Sequence, residues 1–300
     1  GIRVKVLVTG VSGQVGGDLR RLLLGRADVA FADRAAMDLS SEESIVTALE
    51  REAPDVVVNP AAYTAVDAAE DHEAQAMAIN ATAPGVMAGW LKARGGFLIH
   101  FSTDYVYDGA KPEPYVEDDR TNPLSVYGRS KLAGEEAVRR SGVEHFIFRT
   151  CWVYASSGKN FLLTMLRLFA EREQLNVVAD QVGAPTNSLD IARFISECAL
   201  PLLSTSARPA SGVYHLTAAG ETSWHGFAMA ILERASRSPS IAAGLRVQEI
   251  RPISTSQYPT RAARPANSRL SSSKTVAAFG RSLRPWRDQL DECLDQVSRR

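Results

Sequence analysis

The chain has 300 residues, of which 45% are hydrophobic and 23% are charged, as in an ordinary globular protein. Its 34 Lys and Arg residues balance its 34 Asp and Glu residues, so the overall charge favours neither nucleic acid nor an anionic membrane as a partner. No apolar run approaches the roughly 20 residues of a membrane-spanning helix, and the N-terminus does not resemble a signal peptide. The three cysteines lack zinc-ligand spacing and are predicted to be buried thiols. We therefore predict a cytoplasmic protein.

Short apolar runs alternate with amphipathic stretches in the first part of the chain. The runs predict strands at residues 4–9, 28–33, 55–60, 97–102, 145–150 and 176–180. The amphipathic stretches predict helices at residues 14–24, 41–53, 73–92, 124–140 and 161–171. The runs are continuously apolar, as expected of parallel strands that are covered on both faces. This alternation predicts an α/β fold with a doubly wound parallel sheet of the Rossmann type.

The regular alternation loosens after Ala184. Further helices are predicted at residues 188–203, 224–237 and 286–297, and strands at 212–217 and 246–253. We predict an NAD(P)-binding domain over residues 1–184, which also carries the catalytic residues. Residues 185–300 are predicted to form mainly a smaller substrate-binding lobe, and the chain can cross from one lobe to the other. Such a lobe would pack at the carboxyl edge of the sheet, where ligands of open α/β sheets usually bind.

A glycine-rich turn follows the first predicted strand. Gly10, Gly13 and Gly16 form the pattern G-x-x-G-x-x-G, which permits a tight turn and close approach of the backbone to a pyrophosphate at a helix N-terminus. The second strand ends at Asp33 and Arg34. An acidic residue there suits a ribose 2′-hydroxyl, whereas an arginine suits a 2′-phosphate, so NADH and NADPH both stay open as the cofactor.

The stretch 125-SVYGRSK-131 places Tyr127 and Lys131 four residues apart, on one face of a helix. A fixed ammonium group favours the phenolate, so we expect Lys131 to lower the pKa of Tyr127 from its ordinary value of about 10. Ser102 and Thr103 lie where the fourth predicted strand ends. A hydroxyl there can hydrogen-bond a carbonyl oxygen while Tyr127 delivers a proton to it, and a nicotinamide would supply the hydride.

These motifs resemble those of the extended short-chain dehydrogenase/reductase superfamily. Segments nearly from end to end, among them 101-FSTDYVYDG-109, 126-VYGRSKLAGE-135 and 180-DQVGAPT-186, are similar to the dTDP-4-dehydrorhamnose reductase family. The resemblance implies NAD(P)H-dependent reduction of the C4 keto group of dTDP-4-dehydro-6-deoxy-L-mannose (dTDP-4-dehydrorhamnose) to dTDP-L-rhamnose. It also implies a small-molecule nucleotide sugar as the partner, with no role for nucleic acid or a membrane.

The resemblance also indicates which residues carry these roles. Thr103, Tyr127 and Lys131 are the predicted catalytic residues, with Tyr127 as the general acid. The predicted substrate-binding residues are Thr103, Asp104, Tyr105 and Trp152. The glycine turn and Arg34 are predicted to bind the cofactor from the motifs described above. With them included, the predicted cofactor-binding residues are Gly10, Gly13, Gln14, Val15, Gly16, Asp33, Arg34, Asp38, Leu39, Ala62, Tyr63, Thr64, Tyr127 and Lys131. Arg261, Arg264 and Arg269 offer guanidinium groups suited to a diphosphate, but none is assigned to it.

Certain members of the family bind Mg²⁺ at a dimer contact through three acidic side chains. The matching positions here are Asp18, Leu189 and Gln296, and a leucine provides no oxygen ligand for a hard cation. We therefore predict no metal site, and whether the chain forms a homodimer stays open.

Other functions also stay open. One is reduction of a different dTDP-4-keto-6-deoxy sugar, and another is a non-catalytic, nucleotide-binding regulatory subunit. A subunit without turnover would have no chemical need for the intact Thr103, Tyr127 and Lys131. An epimerase or dehydratase would use the same Tyr and Lys pair. The dehydratases typically have an Asp-Glu pair after the catalytic Thr, whereas Asp104 and Tyr105 follow it here.

Overall fold

The computed structural model describes residues 4–300, so the first three residues of the predicted first domain lie outside it. Within that range the strands are β1 (Val6–Val8), β2 (Val29–Phe31), β3 (Val56–Asn59), β4 (Phe97–Thr103), β5 (Glu144–Thr150), β6 (Val153–Tyr154), β7 (Gln174–Val178), β8 (Val182–Gly183), β9 (Thr186–Asn187), β10 (Gly212–His215), β11 (Thr222–Ser223) and β12 (Glu249–Ile253).

The α-helices of the described chain are α1 (Gln14–Leu23), α2 (Glu42–Glu52), α3 (Val66–Ala69), α4 (Glu73–Met77), α5 (Ala83–Ala93), α6 (Val126–Ser141), α7 (Phe161–Glu171), α8 (Ser188–Phe194), α9 (Leu200–Leu202), α10 (Trp224–Ser236), α11 (Pro239–Ala242), α12 (Ser273–Phe279) and α13 (Trp286–Ser298). A π-helical turn over Ala78–Thr82 joins α4 to α5, and another over Ile195–Ala199 joins α8 to α9. Short 3₁₀ turns lie at Asp104–Val106 and Thr255–Gln257.

Six parallel strands form the central sheet, in the order β10-β5-β4-β3-β1-β2. Because β2 and β3 flank β1 on opposite sides, the chain reverses its direction of growth at β1. A crevice opens at such a point beyond the carboxyl ends of the strands, and this is where ligands bind in open α/β sheets. The predicted doubly wound parallel sheet is confirmed.

Helices cover both faces of this sheet. Leu19 of α1 and Phe194 of α8 pack with Val8 and Ile99 on one face. On the other face, residues of α2, α5 and α6 pack with the alternate strand positions, Leu7 and Leu98 among them. Each face buries an apolar layer, which explains why the strand sequences are continuously apolar rather than alternating.

The sixth strand of the sheet differs from the prediction. The run at 176–180 corresponds to β7, which pairs in parallel with β12 outside the central sheet, and β10 takes the edge position beside β5. The side chains of β7 are alternately exposed and buried, whereas every residue of β4 is buried. An apolar run predicts that a strand forms, but the partner of that strand depends on tertiary packing.

A separate apolar cluster holds the smaller lobe together. Phe169 of α7, Phe227 of α10, and Trp286 and Leu290 of α13 pack there in one cluster. Helix α7 precedes residue 184 in the chain and still packs in this lobe, as does β7. Cys151, Cys198 and Cys293 are free and buried. No helix within residues 4–300 combines the length and the apolar character needed to cross a lipid bilayer.

Candidate active site

A cleft of 690 Å³ lies at the carboxyl edge of the central sheet. The sequence-predicted residues that line it are Gly10, Gly13, Gln14, Val15, Asp33, Arg34, Asp38, Leu39, Ala62, Thr64, Thr103, Asp104, Tyr105, Tyr127, Lys131 and Trp152. Two predicted residues, Gly16 and Tyr63, do not line it. The cleft also contains residues that the sequence did not single out, including Lys159 and, from the smaller lobe, Trp224.

The glycine turn forms the floor at one end of the cleft. Gly10 has φ +59°, a backbone conformation that favours glycine, and its carbonyl oxygen accepts a hydrogen bond of 2.9 Å from the N–H of Gly13. A Cβ atom on Gly16 would lie only 2.1 Å from that same carbonyl oxygen. Gly16 therefore lets α1 pack under the turn, and the first N–H groups of α1 are left without helical partners beside the cleft. This cradle fits the diphosphate of a dinucleotide.

Polar groups at the end of β2 form the next part of the cleft. The carboxylate of Asp38 accepts hydrogen bonds from the hydroxyl of Ser40 at 2.6 Å and from its N–H at 3.0 Å. These bonds hold the pKa of Asp38 below its usual range. Asp33 accepts a hydrogen bond of 2.9 Å from the N–H of Ala36. Both acidic residues and Arg34 face the same space, so the geometry accommodates either a ribose hydroxyl or a 2′-phosphate.

Asn80 is a buried residue that sequence reasoning missed. Its side-chain oxygen accepts a hydrogen bond of 2.8 Å from the N–H of Tyr63, and its amide donates to the carbonyl oxygen of Tyr63 and to the hydroxyl of Ser130, both at 3.0 Å. Asn80 therefore joins the turn after β3 to helix α6, which carries Tyr127 and Lys131. It lies in the first π-helical turn, a feature that frequently occurs at functional sites. A polar residue in an otherwise apolar helical stretch was the available signal.

Thr103 and Tyr127 meet across the cleft. Thr103 is the last residue of β4, and Tyr127 lies in the first turn of α6, whose N-cap Ser125 accepts a hydrogen bond of 3.1 Å from the N–H of Gly128. Burial raises the pKa of Tyr127 to about 12; a side-chain hydrogen bond with Thr103 opposes this rise and the charge of Asp104 adds to it. The expectation of a lowered pKa is wrong, because desolvation of the phenolate dominates.

Lys131 lies one helical turn beyond Tyr127 and is 3% exposed. Burial lowers the pKa of Lys131 to about 8, and the negative charge of Glu135, a further turn along α6, opposes that change. The side chain is therefore mainly an ammonium ion at neutral pH. It can stabilise negative charge that develops on Tyr127 during a reaction.

Asp104 follows Thr103 directly and is 2% exposed. Its Oδ1 atom accepts a hydrogen bond of 3.3 Å from the Thr103 hydroxyl, whereas its Oδ2 atom has no hydrogen-bond partner within residues 4–300. Burial raises the pKa of Asp104 to about 7, although the hydroxyls of Ser268 and Thr103 oppose the rise. A neutral carboxyl group can donate a hydrogen bond to a ligand in the cleft, and an ionised one can accept.

Two tryptophans form the apolar wall at the other end of the cleft. Trp152 stacks on Trp224 with ring centroids 3.7 Å apart and ring planes 18° apart. The backbone of Trp152 has φ +48°, which is rare for a bulky residue. Gly183 leaves room for the indole on another side, since a Cβ there would lie 2.8 Å from it. Trp224 donates a hydrogen bond of 3.2 Å to Gln181. The pair joins the two lobes beside Thr103.

The comparison with protein families agrees with this arrangement. The family described as "RmlD substrate binding domain" matches residues 4–299 of the chain. The chain belongs to this family. It is 49% identical over 297 residues to a dTDP-4-dehydrorhamnose reductase of Burkholderia thailandensis, an alignment that covers 97% of this chain and 98% of the relative.

Solved structures of relatives share the fold. A dTDP-4-dehydrorhamnose reductase from Clostridium acetobutylicum is 33% identical, has a TM-score of 0.87, and matches over 98% of this chain and 99% of its own. The enzyme of the same name from Bacillus anthracis, solved in complex with NADP, is also 33% identical, with a TM-score of 0.87 over 98% of this chain and 100% of its own.

The arginines considered for a diphosphate are engaged elsewhere in this family member. Arg264 donates two hydrogen bonds, of 2.9 and 3.0 Å, to the carboxylate of Asp67. Arg261 pairs with Asp71 at 2.9 Å, and Arg269 with Glu221 at 3.3 Å. These ion pairs fasten the loop after β12 to the region around α3 and to the β11 region. Each of the three guanidinium groups is therefore already paired with a carboxylate of the protein.

The structure also shows the surroundings of two of the positions that were considered for a metal ion. Asp18 accepts a hydrogen bond from the hydroxyl of Ser188 and pairs with Arg21. Leu189 is buried, as an apolar side chain is expected to be. Within residues 4–300, no group of three or more His, Cys, Asp or Glu side chains is placed to hold a metal ion.

Proposed function

We propose that this protein reduces the C4 keto group of dTDP-4-dehydrorhamnose to the hydroxyl group of dTDP-L-rhamnose, with NADPH or NADH as the reductant. One observation carries the proposal. Thr103, Tyr127 and Lys131 line a single cleft together with the glycine turn, in a member of a family whose relatives are dTDP-4-dehydrorhamnose reductases.

The residues at one end of the cleft fit a nicotinamide dinucleotide. The glycine turn and the N-terminus of α1 would hold its diphosphate, and Asp33, Arg34 and Asp38 would hold the adenosine part. When bound, such a dinucleotide supplies the hydride that the keto carbon accepts. The cleft continues from there to Thr103 and the two tryptophans, which leaves a place for the sugar next to the catalytic residues.

Tyr127 acts as the proton donor in this proposal. Its raised pKa keeps the phenol protonated at neutral pH, so the residue is in the form that can donate. As C4 is reduced, the O–H bond of Tyr127 breaks and its proton moves to the former carbonyl oxygen. The phenolate that remains lies one helical turn from the ammonium group of Lys131, which stabilises it. The hydroxyl of Thr103 donates a hydrogen bond to the same carbonyl oxygen and orients it.

The sugar of the substrate binds at the other end of the cleft in this proposal. We assign Asp104 and Tyr105 to its polar groups and Trp152, supported by Trp224, to an apolar face of the sugar or the thymine. In this assignment the smaller lobe, through Trp224, closes the substrate site. The apolar faces of the indole rings suit the methyl group of a 6-deoxy sugar, which needs no hydrogen-bond partner.

The direct test follows the absorbance of the nicotinamide. Purified protein would be mixed with dTDP-4-dehydrorhamnose, made in situ by the preceding dehydratase and epimerase, and with NADPH or NADH in separate reactions. We expect cofactor oxidation by the wild type and none by Tyr127→Phe, which keeps the ring and lacks the proton. NMR of the product gives the configuration at C4.

Two results would contradict the proposal. Equal rates for the wild type and Tyr127→Phe would remove Tyr127 from the reaction. A folded, NADPH-binding protein that oxidises no cofactor would point first to another dTDP-4-keto-6-deoxy sugar, which a panel of such sugars tests. Failure on the whole panel would favour a regulatory subunit.

The proposal has two further parts that come from the sequence analysis. The protein acts in the cytoplasm, and it can form a homodimer. Light scattering after size-exclusion chromatography tests the second part, and the mass of a single chain at micromolar concentration would contradict it.

A further inference from the structure

The segment 156–160 lies over the start of α1 and is fastened at both ends. Asn160 donates hydrogen bonds to the side-chain oxygen of Gln14 and to the carbonyl oxygen of Ala155, both at 2.9 Å. At the other end, the guanidinium group of Arg300 donates to the carbonyl oxygen of Ser156 at 2.6 Å and to its hydroxyl at 3.1 Å. The residues between these two anchors, 157–159, line the cleft.

The middle of this segment faces the glycine turn. Gly158 adopts φ +82°, and a Cβ built on it would lie 3.9 Å from Cγ of Gln14, the first residue of α1. Ser12, Gly13 and Lys159 line the same cleft. The segment therefore forms a second wall opposite the unpartnered N–H groups at the start of α1, with a lysine on it.

Three basic side chains line the cleft, namely Arg34, Lys131 and Lys159. Arg34 lies near Asp38, and its positive charge helps to lower the pKa of that carboxyl, whereas Lys159 lies on the segment beside Gln14 and has no ion-pair partner among residues 4–300. Lys131 is buried beside Tyr127, but Lys159 is exposed and can move toward an anion. A lysine that faces a helix N-terminus across a cleft adds a mobile positive charge to an anion site that the backbone already favours.

We infer that Lys159 binds the diphosphate of the ligand that lies on the glycine turn, with the segment 156–160 as the wall that presents it. The inference rests on the proposed function for its ligand class. A dinucleotide and a nucleotide sugar both carry a diphosphate. The contact of Asn160 with Gln14 places the segment on the cofactor side and favours the dinucleotide.

The test measures binding rather than turnover. Isothermal titration calorimetry would compare the wild type with Lys159→Ala, Lys159→Arg and Lys92→Ala, the last of which removes an exposed lysine from α5, away from the cleft. The ligands are NADPH, ADP-ribose, AMP and dTDP. ADP-ribose carries the diphosphate, whereas AMP carries a single phosphate.

We expect Lys159→Ala to weaken the binding of NADPH and ADP-ribose about tenfold, as loss of one charge-assisted contact does, and to leave AMP nearly unchanged. The difference should shrink in high salt because the lysine is exposed. Lys159→Arg should retain most of the affinity, and Lys92→Ala all of it.

The ligand panel also distinguishes the two sources of the diphosphate. Weaker binding of dTDP alone would support a diphosphate contact but assign it to the sugar nucleotide. Unchanged affinity of Lys159→Ala for NADPH, ADP-ribose and dTDP would overturn the inference. If the wild type binds NADPH and reduces no keto sugar, the proposed function fails while the binding comparison still decides the role of Lys159.

Discussion

The indole of Trp224 lies flat on that of Trp152, with 3.7 Å between the ring centroids. Trp152 follows β5 of the central sheet, whereas Trp224 begins α10 of the smaller lobe. The stack therefore joins the two lobes at the end of the cleft that we assign to the sugar nucleotide. Trp152 also has a left-handed backbone conformation, which is rare for a bulky residue.

This contact predicts a substrate-specific effect of Trp224→Ala. Loss of the stack should raise the KM for the sugar nucleotide about tenfold, since an aromatic pair contributes about 0.5–1.5 kcal/mol beyond its buried area. The Kd for NADPH should not change. Steady-state kinetics and cofactor titration measure the two quantities, and Trp224→Phe is the conservative control. A change in both quantities would mean that the pair supports the whole cleft rather than the sugar site.

Two neighbouring glycines of α1 offer a matched pair of variants. In Gly16→Ala the new Cβ would meet the carbonyl oxygen of Gly10 at 2.1 Å, so the glycine turn must move. In Gly17→Ala the nearest atom is the carbonyl oxygen of Val11, at 3.4 Å. We expect Gly16→Ala to lose about 1–3 kcal/mol of unfolding free energy and most of its NADPH affinity. Gly17→Ala should keep both. Similar cofactor affinities for the two variants would show that the close approach is unimportant.

Glu135 and Arg149 form a buried ion pair that joins α6 to β5. Arg149 donates to the two carboxylate oxygens of Glu135 at 2.9 and 2.6 Å, and the hydroxyl of Ser102 donates to one of them at 2.5 Å. Glu135→Gln leaves the guanidinium group of Arg149 buried without its counter-charge. Chemical denaturation should show a loss of about 3–5 kcal/mol. Glu136→Gln, on the exposed side of α6, should change stability by less than about 0.5 kcal/mol. Equal effects would contradict a role for the pair in stability.

Asp104 gives a pH-dependent prediction. Its pKa in the folded protein, about 7, lies above its value in the unfolded chain, so the folded state binds the proton more tightly. Ionisation of Asp104 therefore destabilises the wild type as the pH rises from about 4 to 7. Asp104→Asn cannot ionise, and it should gain stability relative to the wild type over that range, by about 1–3 kcal/mol. Thermal unfolding of both proteins at pH 5 and pH 8 measures this, and an equal difference at the two pH values would contradict it.

The local motifs were readable from the sequence because their chemistry depends on short spacing. The glycine turn between β1 and α1 can be recognised from the spacing of Gly10, Gly13 and Gly16, because the strand, the turn and the helix are consecutive in the chain. Tyr127 and Lys131 share a helix, so four residues of separation place both on one face. Continuous apolar runs likewise predicted the five strands from β1 to β5.

Contacts between distant segments were decided only by the tertiary structure. The pairing of β7 with β12, the stack of Trp152 on Trp224, and the bonds from Asn80 to Tyr63 and Ser130 each join residues whose proximity no local pattern encodes. The pKa of Tyr127 also depends on contacts between distant segments. The spacing to Lys131 placed a cation near the phenol, but the burial that raises the pKa arises from β4, α6 and the loops that pack around them. Sequence determines local conformation and residue type, whereas desolvation and long-range contacts exist only after the chain has packed.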